Sequence, residues 1–503
     1  MCIRDRVLLF GILAIELKRK APNAHTFLEI IRARYGNGSH KVFLVFALMT
    51  NMIVTAMLLL GGSAVVNGLT GMDISLAAFL IPVGVMIYTL VGGLKATFVA
   101  DYMHTIIIFI TILTFVGAVY INTDITGGVE GMYDKLVQAA KINPVEGNAA
   151  GAFLTMASAG GLMFGIINIV GNFGTVFVDQ AYWQRAIAAQ PSSTVKGFLL
   201  GGACWFAIPF TLATTMGLTA IALDVDLTPA QAQMGLVVPA AATALMGEVG
   251  AIMVLTMLFM AVTSAGSAEL IAVSSLVTYD LYRTYKNPTA TGKQLVKVSR
   301  ATIVAFGLGM GGLAVILLGM GLSLGFVYLA MGILIGSAVV PIALTILWKR
   351  TNRVAATLGA VIGLIISTST WVAVAASLPE YGGVVDLASL GHNYSMLFAN
   401  IAGIISGGVI AIIGSLAVKS TFQWADLKDK ITLVEISAAD SAKVTEDEET
   451  LKKAFKFSVR GGGLMTIILI IVWPMPLIAS GYVFELGSYG AVSYTHLTLP
   501  TKA

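Results

Sequence analysis

What most constrains this chain is a repeated pattern: an apolar run of about the ~20 residues that cross a bilayer, then a short polar connection, from near one end to the other. Full-length runs are expected at residues 42–66, 76–91, 98–121, 160–188, 198–222 and 251–282, then 301–320, 322–348, 356–378, 396–418 and 465–484. A shorter run at 7–17 stops at the basic cluster Lys18-Arg19-Lys20 and makes a half-span. Inside lipid each backbone N–H and C=O must pair within its own segment, so runs of this length fold as helices. The expected class is an all-α polytopic membrane protein. Composition agrees, since 57% of the 503 residues are hydrophobic and 11% are charged, whereas soluble domains carry roughly 25% charged residues.

Loop charge predicts the orientation, because Lys and Arg collect on the cytoplasmic side. Lys18, Arg19, Lys20, Arg32, Arg34 and Lys41 precede the first full span. Lys95, Arg185 with Lys196, the group from Arg283 to Arg300, and Lys349, Arg350 and Arg353 mark later loops on that side. Asp73, Asp224, Asp226, Glu248, Glu380 and Asp386 occupy the loops between. The net charge of +4 therefore sits in short loops; it implies a lipid bilayer as partner and no nucleic acid. Cys2 and Cys204 give no disulfide or zinc framework. No nucleophile elbow, phosphate loop or metal-ligand spacing stands out, so neither an enzyme nor a cofactor is expected. The 54 glycines fit close helix packing and local breaks, against simple tolerance of Gly in lipid.

Two connections are long. Residues 122–157 are expected outside, with 133–140 as a short amphipathic surface helix. Residues 419–457 are expected to be a cytoplasmic linker, where the run Glu446-Asp447-Glu448-Glu449 leads into Lys452-Lys453 as a solvated, ion-paired stretch or a regulatory segment.

Ionisable groups inside spans are costly and mark candidate sites. Asp101 follows the turn Gly92-Gly93-Leu94-Lys95, with His104 one helical turn on along the same face; a cap or an ion pair with Lys95 is the structural alternative. Glu269 ends the stretch Thr263-Ser264-Ala265-Gly266-Ser267-Ala268-Glu269. At ~100° per residue Ser264 and Ser267 share a face while Glu269 points about 140° away. The serine face offers oxygens to a hard cation, or packs closely with its hydroxyls bonded to the preceding turn; the carboxylate is free for another helix. A third span carries Gly171-Asn172-Phe173-Gly174, read as a helix break of the kind that builds transporter sites, or as a packing face. Asp179-Gln180 and Gln184-Arg185 follow nearer the cytoplasmic end, as an inner gate or a substrate contact.

The stretch Gly92-Gly93-Leu94-Lys95-Ala96-Thr97 into Asp101, the pairs Asp179-Gln180 and Gln184-Arg185, and the Ser264 region running to Asp280-Leu281-Tyr282 resemble the sodium:solute symporter family. Residues 15–26 (IELKRKAPNAHT), 57–67 (MLLLGGSAVVN), 166–185 (IINIVGNFGTVFVDQAYWQR) and 267–280 (SAELIAVSSLVTYD) look more specifically like its urea-active-transporter branch. The resemblance implies a LeuT-type fold of two inverted five-helix repeats and symport of a small polar solute, urea favoured, across the plasma membrane. The coupling ion would be Na+ or H+. It implies an ion site at Thr263, Ser264, Ser267 and Asp101, with Na+ held at Ser264 and Ser267. Asn172, Asp179, Gln180, Glu269 and His104 would serve substrate or gate. The same family includes carriers of amino acids and organic acids, and a sensor or scaffold keeping the fold is the other class weighed.

Two departures from the family pattern stand out. The serine at the eighth core helix is typically followed by Ser or Thr, and here Ser264 is followed by Ala265, so Thr263 or Ser267 must replace the missing hydroxyl. The family's first core helix is expected before the half-span, and a further span after residue 484. Residues 1–6 and 493–503 are polar and unrelated to the apolar segments beside them. They are read as foreign sequence, or as natural short tails, flanking a symporter domain at 7–492.

Overall fold

The computed structural model describes residues 3–189, 191–418, 420–431 and most of 455–493, and these are almost wholly helical. In chain order the helices are α1 (Ile3–Lys20), α2 (Phe27–Thr70), α3 (Ile74–Tyr120), α4 (Thr123–Thr126), α5 (Gly128–Ile142), α6 (Ala159–Phe177) and α7 (Gln180–Ala188). Next come α8 (Pro191–Leu212), α9 (Leu218–Ala222), α10 (Pro229–Gln233), α11 (Val237–Ser275), α12 (Gly292–Gly319) and α13 (Leu324–Ile335). The series continues with α14 (Val339–Leu347), α15 (Arg353–Ser377), α16 (Leu387–Gly391), α17 (Asn393–Ala417) and α18 (Asp426–Lys430). Among the described residues ten helical segments are long and apolar enough to cross a membrane, and they fall on the first ten expected spans. The expected span 465–484 lies partly outside the described residues; within it Ile467–Val472 and Pro474–Ala479 are helical. The acidic run at 446–449 and nearly all of the tail after 493 also lie outside them.

Several helices begin where a side chain serves an orphan N–H group. Asp73 Oδ1 accepts from Leu76 N at 2.8 Å before α3, Ser158 Oγ from Gly161 N at 3.0 Å before α6, and Asn352 Oδ1 from Ala355 N at 2.9 Å before α15. Bends within the long helices fall at glycine. Gly93 has φ 56° and ψ −170°, a conformation a Cβ resists, and it divides α3 into spans Ile74–Leu94 and Thr97–Tyr120. The surface helix expected at 133–140 forms as α5, which buries Met132 and Leu136.

The basic loops gather at one end of the molecule. Arg34 donates to the carbonyls of Thr345 at the end of α14 and of Trp348, Lys349 and Thr351 beyond it. Arg32 reaches Thr284, Lys20 reaches the Ile346 carbonyl, and Arg350 reaches that of Leu416. The start of the expected linker joins them, with Trp424 lying 3.7 Å beneath the Lys20 ammonium and Phe422 4.5 Å from the Arg34 guanidinium. At the opposite end Phe484 N bonds to Leu154 O at 2.8 Å and Thr155 Oγ1 to Tyr482 O at 2.8 Å.

One expectation is corrected. No helix break occurs at Asn172: α6 runs unbroken through Gly171, Asn172 and Gly174 and stops at Phe177. The chain opens at Val178 and Asp179, where ψ of Asp179 turns to 122° before α7 begins. The two glycines serve packing instead. A Cβ on Gly174 would lie 2.6 Å from Ile335, and one on Gly332 would lie 2.8 Å from the Gly171 backbone nitrogen. Lipid is as apolar as Leu, so such helices adhere through close contact of small residues rather than by escaping water.

Candidate functional site

Buried polar side chains concentrate where α2, α3, α7 and α11 meet. Asp179 caps α7, accepting from Ala181 N at 2.7 Å. Its Oδ1 also accepts from Asn51 Nδ2 on α2 at 2.7 Å, and the same amide donates to Glu269 Oε2 on α11 at 2.6 Å. The three side chains belong to residues only 0%, 1% and 3% exposed for Asn51, Asp179 and Glu269, so water does not share the charge. Arg185 is the cation that acts on both carboxylates through space, but its ion pair is with Asp101 Oδ2, at 2.7 Å. One amide nitrogen thus sits between two dry carboxylates.

Asp101 forms the second half of the site. Besides Arg185 it accepts from Ser264 Oγ on α11 at 2.5 Å. Its carboxylate is therefore bonded to both α7 and α11. His104, a turn along α3, is partly buried and its Nδ1 has no hydrogen-bond partner among the described residues. Ser267 Oγ donates to Ser264 O at 3.0 Å, so its hydroxyl is engaged by its own helix. Thr263 is buried on the same turn. The angular expectation for α11 is met: Ser264 faces α3 while Glu269 faces α2.

The motif from Asp179 to Arg185 works as a tie between helices, each polar residue going to a different neighbour. Gln180 Oε1 accepts from Phe27 N at 3.4 Å and its Nε2 donates to His25 O at 3.3 Å, fixing the start of α2. Gln184 donates to Ala268 O at 3.4 Å and accepts from Ser275 Oγ at 3.3 Å, holding α11. Arg185 takes α3. Trp183, fully buried, packs edge-on against Phe10 at 4.5 Å between ring centroids.

Asn172 lies apart from this cluster. It donates to Asn168 Oδ1 at 3.0 Å and contacts the Tyr328 hydroxyl at 3.3 Å, a full turn and more above Asp179 along the α6–α7 line. The expected grouping of Asn172 with Gln180 and the carboxylates is therefore not a single cluster of contacts.

Two residues escaped the sequence reading. Asn51 is one; a lone amide in an apolar run was its only signal. The other is His40, whose Nε2 lies 2.8 Å from Asp280 Oδ1 and whose Nδ1 lies 2.7 Å from the Tyr285 hydroxyl, both His40 and Asp280 being fully buried. Asp280 was visible within a motif, but its partner is 240 residues away.

Comparison with known proteins places this geometry. Residues 5–365 match the model of the sodium:solute symporter family. The chain is 53% identical to the urea-proton symporter DUR3 of Oryza sativa subsp. japonica, over 93% of this chain and 67% of that protein. It is 45% identical to probable urea active transporter 1 of Schizosaccharomyces pombe, over 95% of this chain and 73% of that one. Among solved structures, a Na+-coupled sialic acid symporter in a substrate-bound, outward-open state superposes with a TM-score of 0.61 at 18% identity, covering 84% of each chain. That likeness gives the LeuT-type fold. The ten spans, the tie between α7 and its neighbours and the match over residues 5–365 lead to one conclusion: this chain is a multi-pass integral membrane protein belonging to the sodium:solute symporter family.

Proposed function

We propose that this protein takes up urea, or a similarly small polar solute, across the plasma membrane by alternating access, and that its coupling cation is a proton. The substrate rests on the urea transporters it resembles at 45–53% identity. The coupling ion rests on one observation, the Asp179–Asn51–Glu269 arrangement. Two carboxylates in a dry interior repel, and each charge is costly unless paired. The donors touching them are neutral, so the pair calls for one positive charge. A proton supplies it with the smallest change of geometry, turning one carboxyl into a donor for the other. When that proton leaves towards the cytoplasm, two anions face each other across Asn51 and α7 is pushed from α11. Because α7 also ties α2 and α3, the change reaches three helices at once.

Sodium at Asp101 and Ser264 is the second reading, favoured by a carboxylate and a hydroxyl oxygen already converged at 2.5 Å. Position 265 offers it no further hydroxyl. The test is uptake of labelled urea by cells expressing the protein, with proton and sodium gradients varied separately. Acid medium should stimulate uptake without sodium, and Glu269→Gln should remove the acid response. Strict sodium dependence with no pH response would overturn proton coupling. Inhibition by excess proline or acetate, with none by unlabelled urea, would overturn the substrate.

A further inference from the structure

We infer that the basic end of the molecule carries a binding site for a phosphate group, formed where α2, the segment after α11 and α18 meet. A cavity of about 420 Å³ opens there, lined by Arg32, Arg283 and Lys430 together with Glu29, Tyr279 and Thr284. Loop charge puts all three cations at this end of the molecule, but they come from parts of the chain some 250 and 150 residues apart, and only packing brings them to one cavity.

Among the described residues their charges meet no carboxylate. Arg32 uses its Nε on Asn37 Oδ1 at 3.2 Å and an Nη on Thr284 Oγ1 at 3.1 Å, both neutral. Lys430 Nζ donates to the Ala33 carbonyl at 3.4 Å. Arg283 has no hydrogen bond or ion pair among the described residues. Glu29, the one acid of the cavity, turns to its own helix start: its Oε2 accepts from His25 N at 2.7 Å and lies 3.5 Å from His25 Nδ1. An open cavity with two guanidinium forks and an ammonium suits a tetrahedral dianion, which Arg binds through paired N–H donors. Its position at the ends of membrane-crossing helices puts it at the depth of lipid headgroups. The shared chemistry is a phosphate group, supplied by a lipid headgroup or by free phosphate.

The test uses the full chain in phosphatidylcholine nanodiscs, with melting temperature as the readout. Two probes are compared: inorganic phosphate in solution, and phosphatidylinositol 4-phosphate added to the bilayer. A rise with the lipid alone assigns the site to a headgroup; a rise with phosphate as well assigns it to the free anion, and either supports the site. Arg283→Gln should raise the half-saturating probe concentration at least about tenfold, a loss of ~1.4 kcal/mol, with the melting temperature without probe little changed because Arg283 makes no hydrogen bond or ion pair among the described residues. Arg283→Lys, keeping charge without the fork, should fall between. Lys293→Gln, on the same end but outside the cavity, should leave binding intact. No rise with either probe, or an equal loss in Lys293→Gln, would overturn the inference. The readout is independent of urea uptake, so the two proposals fail separately.

Discussion

Asn51 holds two carboxylates with one amide nitrogen, so replacing it does more than delete a hydrogen bond. Asn51→Leu keeps the branched heavy-atom skeleton, with bulkier methyl ends, and leaves both acids without their shared donor. A buried acceptor stripped of its partner costs ~1–3 kcal/mol. The expected outcome is a lower melting temperature in detergent and loss of urea uptake; an unchanged melting temperature would mean the pair is served by something else. Asp101 makes a different case, because it is bound by both Arg185 and Ser264. Asp101→Asn should reduce coupled uptake while urea binding persists, and full uptake would reduce Asp101 to a structural tie. Asp101 and Glu269 were legible in the sequence because a charge inside a span is conspicuous. Asn51 was not, since a lone amide in an apolar run can bond to its own helix and gives no sign of which neighbour it reaches.

At the scale of elements, the instructive case is the line from α6 to α7. Glycines around Asn172 gave the same sequence signal that a helix break would give, and the helix nevertheless continues. What they permit is contact: the backbone of α13 at Gly332 reaches that of α6 at Gly171 so closely that a Cβ would meet backbone atoms at 2.8 and 2.9 Å and the Asn400 Oδ1 nearer still. Backbone cannot swing aside as a flexible side chain does. Gly332→Ala should therefore cost at least ~1–3 kcal/mol as overpacking, read as a fall in melting temperature. Gly165→Ala on the same α6 meets nothing within 4 Å and should be neutral or gain up to about 1 kcal/mol of helix propensity. If the two substitutions behaved alike, close approach would not be the reason for glycine at position 332.

For the whole molecule, coupling depends on how many helices a single ionisation can move. The short α7 meets α2 through Asp179 and Gln180, α11 through Gln184 and α3 through Arg185, so under the proposed proton coupling a charge change at its first turn would bear on three helices together. The balance between sodium and proton belongs to this scale, since Ser264 and Ser267 already use their hydroxyls within the protein. Ala265→Ser should strengthen any sodium response of uptake without abolishing the acid response. If sodium dependence is unaltered, the hydroxyl at 265 is not a ligand and Asp101 with Ser264 must be judged alone.

The sequence by itself determined the ten spans found among the described residues and the end at which their basic loops meet. The reason is that lipid imposes a one-dimensional rule: about twenty apolar residues make a span, and loop charge selects its side. It also determined that Ser264 and Glu269 face different neighbours, because helical rotation follows from residue number. Only the tertiary structure decided who those neighbours are. Asn51 to Asp179 and Glu269, Asp101 to Arg185 and Ser264, and His40 to Asp280 are pairings across 84 to 240 residues. Spacing along one helix carries no record of the helix packed against it, and the close approaches that set those pairs, as at Gly171 and Gly332, are properties of two surfaces together.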